Sequence, residues 1–132
     1  MRNLHRPEQV IENWFDIMSE PGQALAREAH AAVMAAQPRL FASIKWGQLV
    51  YAWAGVHVMA LAAYRGHLHL QLFHGAALQY ELPALRGRGR GLRFLELRHG
   101  QPLDTALLER AVALSVGYAV NVLGKVPGSK MP

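Results

Sequence analysis

The stretch His67-Leu68-His69-Leu70-Gln71-Leu72-Phe73 alternates leucine with polar or aromatic residues. That period of two is the pattern of a β-strand with one buried face. Leu68, Leu70 and Leu72 point to one side, whereas His67, His69, Gln71 and Phe73 point to the other. A leucine face must be covered, and the helical segments at both ends of the sequence are what can cover it. Working upstream, Arg65-Gly66 and Gly55 punctuate two further β-rich runs, Val56 to Tyr64 and Ile44 to Trp53. Connections this short join only antiparallel neighbours, so the three runs read as a meander. Downstream, Gly75 to Leu85 is partly polar and broken by Pro83. Arg86-Gly87-Arg88-Gly89-Arg90-Gly91 then reads as a loop, and Leu92 to Leu97 as a fourth strand.

The flanks carry the helical period. Val10, Ile11, Trp14, Phe15 and Met18 recur at three- and four-residue spacing, the buried stripe of an amphipathic helix opened by Pro7. A second helix starts at Ser19-Glu20-Pro21 and stops at Pro38. Its many alanines allow close packing. A third starts behind Asp104 as N-cap and runs to Gly124. The expected fold is α+β: a two-layer sandwich in which an antiparallel sheet of at least four strands has the N-terminal and C-terminal helices on one face. Residues 1–124 form one domain in this reading and 125–132 a flexible tail.

Composition narrows the function classes. The chain has 132 residues, 52% of them hydrophobic, and no cysteine. Its length suffices for a buried core without a metal or disulfide, and the missing thiol excludes cysteine nucleophiles, Cys-type zinc sites and disulfides. The longest apolar stretch, Ala52 to Tyr64, is shorter than the roughly twenty residues a membrane-spanning helix needs. The first residues show no secretory pattern, so the expected location is cytoplasmic and away from membranes. Net charge is +5, unevenly placed. No carboxylate occurs from Ala29 to Tyr80, and five arginines gather between Arg86 and Arg98.

Four segments carry a family resemblance. Ile44-Lys45-Trp46-Gly47-Gln48-Leu49-Val50-Tyr51 is similar to the I-x-W-G-x-P-x-[YF] signature of the DUF1801, or YdhG-like, family of small bacterial proteins. His67 to Phe73 with Gly75-Ala76-Ala77-Leu78 resembles that family's H-V-x-L-x-F followed by G-x-x-L. Leu85-Arg86-Gly87-Arg88-Gly89-Arg90 resembles its L-x-G-x-G-K loop, and the last strand and helix follow in the expected order. The resemblance spans Val10 to Val122 and departs from the pattern at Leu49, in place of proline, and at Arg90, in place of lysine. It implies a two-layer fold related to that of frataxin. One branch of the family has an assigned iron-chaperone role, and most members have no established activity.

The candidate sites are few. Glu8, Glu12, Asp16 and Glu20, spaced four apart, form a carboxylate stripe that calls for a cation or a nearby arginine. Iron bound by such oxygen ligands is what the family branch implies. His67 and His69 share a strand face and could hold a metal given a third ligand. Arg88 and Arg90 lie in a glycine-rich loop suited to a small anionic ligand. Trp46, Tyr51 and His67 would border a pocket if a bulge near Gly47 shifted the register. No nucleophile elbow and no paired His and carboxylate stand at catalytic spacing, so the chain reads as a binding protein without enzymatic activity. Nucleic acid is not the expected partner, since no binding motif accompanies the charge. The alternatives to iron handling are a homodimeric interaction module, paired through a strand edge or the alanine-rich helix, and an anion or nucleic-acid binder at the arginine loop.

Overall fold

The computed structural model describes residues 6–128. Its elements are α1 (Pro7–Asp16), α2 (Glu20–Ala36), β1 (Phe41–Lys45), β2 (Gln48–Trp53), β3 (Val56–Tyr64), β4 (His67–Leu72), the short α3 (Gly75–Leu78), β5 (Arg93–Arg98) and α4 (Thr105–Asn121). The five strands form one antiparallel sheet in the order β1-β2-β3-β4-β5. Leu68, Leu70 and Leu72 join Trp14 and Phe15 of α1, Leu25, Ala29 and Val33 of α2, and Leu108 and Val112 of α4 in one core. The leucine face is therefore the helix-covered one. Asp104 caps α4 by accepting from the Leu107 amide, while the Ser19 side chain makes no cap bond at α2.

Two expectations about the first strand need correction. The run from Ile44 to Trp53 is not one strand but the end of β1, a two-residue turn at Trp46-Gly47, and β2. Both turn residues have positive φ, 56° and 73°, the conformation whose twist suits a two-residue hairpin. Tryptophan is a strong strand former, and that propensity masked the turn. No bulge lies at Gly47. The register shift falls instead between Tyr51 and Ala52, where Val58 is the extra residue on β3. Val58 and its neighbour Met59 consequently both enter the core.

The start of the expected tail is also tied down. The Lys125 carbonyl accepts from Trp53 Nε1 at 2.9 Å, and the Lys125 amide donates to the Ala119 carbonyl. Arg39 reaches the Pro127 carbonyl. Residues 129–132 of that tail, like residues 1–5, lie outside the described residues. Among the described residues no helix is long and apolar enough to cross a membrane.

Candidate functional site on the open sheet face

Strand alternation that buries the leucines delivers a second set of side chains to the uncovered face. His67 stands opposite Tyr64 and Arg98, and His69 opposite Ala62 and Glu96. Tyr64 stacks on His67 with centroids 5.2 Å apart, and the His67 and His69 rings are 5.0 Å apart. His69 in turn lies against Phe94, its diagonal neighbour on β5, at 3.8 Å with the planes inclined by only 13°. Four rings thus form a continuous half-exposed platform across β3, β4 and β5.

Charge borders the platform on one side. Arg86 forms an isolated antiparallel bridge with Phe94 outside β5. Its guanidinium donates to Glu96 at 3.1 Å, and Arg98 pairs with the same carboxylate from the other side. Two guanidinium groups share one carboxylate, leaving a surplus positive charge beside the rings. Burial, the nearby His67 and the positive charge of Arg86 hold His69 below the usual histidine pKa, with Glu96 opposing them. His69 is accordingly neutral near pH 7, an uncharged ring stacked face to face on Phe94. Arg93 fastens the base of the arginine loop by donating to Gln79 at 2.8 Å and to the Gly89 carbonyl at 2.9 Å. Arg88 and Arg90 are exposed beyond it.

The other sequence candidates separate. Tyr51 is fully buried on the helix-covered face, where its hydroxyl lies 2.7 Å from His30 Nδ1. Trp46 is 71% exposed at the hairpin tip, edge-on to His57. Trp46, Tyr51 and His67 therefore do not border a common pocket. The signature segment has a structural use instead: Trp14 of α1 donates its indole N–H to the Gly47 carbonyl, and Tyr51 anchors α2 through His30.

The acidic stripe meets an arginine. Arg27 of α2 pairs with Glu12 at 3.0 Å and Asp16 at 3.1 Å while lying over the Phe15 ring. Glu8 is exposed one turn earlier, and Glu20 opens α2. Among the described residues no group of three or more His, Asp or Glu side chains is placed to hold a metal ion, and His67 and His69 gain no third donor. Tyr64, Phe94, Glu96 and Arg98 were not singled out from sequence. Tyr64 was within reach, because a two-residue turn at Arg65-Gly66 sets it opposite His67. Phe94 was not, since the loop before β5 hides its register.

An antiparallel five-stranded sheet with helices on one face and an aromatic platform on the other defines the class of protein. No family model and no curated protein matches the sequence. Among solved structures, the fold is that of YdhG, a DUF1801-family protein from Bacillus subtilis. The two superpose with a TM-score of 0.66 over 93% of this chain and 96% of that one, at 18% sequence identity. An uncharacterised conserved protein from Lactobacillus casei matches with a TM-score of 0.49 over 92% of this chain and 98% of that one, at 17% identity. The resemblance to the DUF1801 family is thus present in fold as well as in sequence motifs.

Proposed function

We propose that this chain is a DUF1801-type binding domain that holds a ring-bearing anion of the nucleotide kind on its open sheet face. The observation that carries the reading is the Tyr64, His67, His69 and Phe94 platform beside Arg86 and Arg98. A flat heterocycle can extend such a stack at its outer rings, where base-on-aromatic stacking contributes about 1–3 kcal/mol per base. Guanidinium forks fit phosphate oxygens. The polarity of the molecule agrees: acids concentrate on α1 and α2, while Lys45 and the arginine loop belong to the sheet. Iron handling, the function assigned to one family branch, finds no ligand cluster among the described residues to support it.

Calorimetric titration with adenosine 5′-monophosphate, a short single-stranded oligonucleotide and inorganic phosphate at low salt tests the proposal. The ring-bearing ligands should bind, weaken with added salt, and lose about tenfold in affinity in Phe94→Ala. Binding of inorganic phosphate as tightly as the nucleotide would remove the platform's role, and no binding of any of the three would overturn the reading.

A further inference from the structure

α4 has more apolar surface than the core uses. No charged residue occurs between Arg110 and Lys125. The buried stripe of the helix comprises Leu108, Ala111, Val112, Ser115 and Ala119. Its other side is apolar too: Ala113, Val116, Gly117 and Val120 line a groove of about 440 Å³ closed by Ala36 at the end of α2. Just past the helix, Val122 and Val126 are 61% and 55% exposed. A helix apolar all round is one that is covered all round, yet on this side Ala113 stays exposed and Val116, Gly117 and Val120 are only partly buried.

We propose that a second copy of this chain covers the groove, with the two α4 helices antiparallel about a two-fold axis near Gly117. Three features select a second copy over another occupant. One charged residue, Glu109, lines the groove, at one end; past the other end, at Gln37 and Asn121, the basic Arg39 and Lys125 follow in sequence. An antiparallel two-fold places each acidic end against the basic end of the other copy, the self-complementarity an isologous interface requires. The surface is also relieved for a helix. Ala113 and Gly117, one turn apart, let a second backbone approach, and valines 116 and 120 stand beside them as knobs. Finally, Val122 and Val126 follow the groove's Asn121 end in sequence and are exposed. A standard interface takes about 800 Å² per partner, roughly a tenth of this chain's 7792 Å². This contact differs from the strand edge and the bulk of the alanine-rich helix. Ala26 and Ala29 of α2 are already spent in the core, and only Ala36 borders the groove.

Absence of cysteine makes the test direct. A Cβ at Gly117 meets nothing closer than Asn121 Nδ2 at 4.0 Å, so Gly117→Cys fits the fold and places one thiol near the proposed axis. Mild oxidation should give a disulfide-linked dimer of Gly117→Cys and leave Trp46→Cys, at the exposed tip of the β1-β2 hairpin, uncross-linked. Sedimentation equilibrium should show a wild-type dimer whose dissociation constant rises at least about tenfold in Ala113→Arg, an exposed position whose change leaves circular dichroism unaltered. A wild-type monomer throughout the concentration series, a dimer indifferent to Ala113→Arg, or cross-linking through Trp46→Cys instead of Gly117→Cys would each overturn the proposal. Should Ala113→Arg fail to fold, the cross-linking pattern decides alone.

Discussion

The two faces of β4 are built from alternate residues of one six-residue strand, yet they do different work. Leu68, Leu70 and Leu72 have no exposed surface and hold the helices to the sheet, while His67 and His69 remain half-exposed with rings stacked in the open. Stability belongs to the first set, and the proposed binding to the second. The strongest attempt to break this division is the pair Leu70→Ala and His69→Ala. Removing a fully buried leucine costs about 2–5 kcal/mol through lost burial and the cavity left behind. Removing a half-exposed ring should cost under about 1 kcal/mol. Urea unfolding of both variants measures the contrast directly. Comparable losses would mean that the platform is a second core, not a binding surface.

That division was legible in the sequence only in part. The leucine alternation fixed which face carries the helices, because a period of two leaves no other assignment once both flanks show helical periodicity. What escaped is whatever depends on a partner far along the chain. Trp46-Gly47 escaped because a turn with positive φ at tryptophan contradicts residue propensity. It is stabilised by tertiary contact, the Trp14 indole donating to the Gly47 carbonyl. Phe94 and Glu96 escaped because β5 reaches β4 only after a long loop, and no local signal sets that register. The carboxylate stripe posed the right question, and Arg27 answers it from a neighbouring helix.

A smaller effect sharpens the comparison from the covered side. Burial pushes the Tyr51 hydroxyl pKa upward and the His30 pKa downward, the latter opposed by Glu12. The phenol is thus the donor and neutral His30 Nδ1 the acceptor. Tyr51→Phe should cost about 1–2 kcal/mol, since His30 loses its partner at the core boundary. The same pair sets a pH dependence. His30, His69 and His74 all have pKa values lowered by burial, so the unfolded chain takes up protons before the folded one. Stability is therefore fully present above the unfolded histidine value of about 6.5 and falls as acidification proceeds through the lowered folded values. Thermal melts from pH 7.5 to pH 5 should show a declining midpoint, with a shallower decline in His30→Gln. A midpoint flat over that range would show that none of the three is neutral by virtue of folding.

The smallest expected effect concerns the hairpin tip, where the open side of the molecule begins. Trp46 has a φ of 56° and is 71% exposed, so it adopts a left-handed conformation unfavourable for a bulky residue and recovers little burial in return. Asparagine tolerates that conformation and is favoured before glycine in two-residue hairpins. Trp46→Asn should therefore leave stability unchanged or raise it by up to about 1 kcal/mol, the scale of the left-handed penalty. The edge-on contact with His57 at 5.4 Å is the one ring contact it gives up. A neutral or stabilising outcome places Trp46 with the platform residues, retained for something other than the fold. A loss above about 2 kcal/mol would move it to the other side of the comparison, with Leu70.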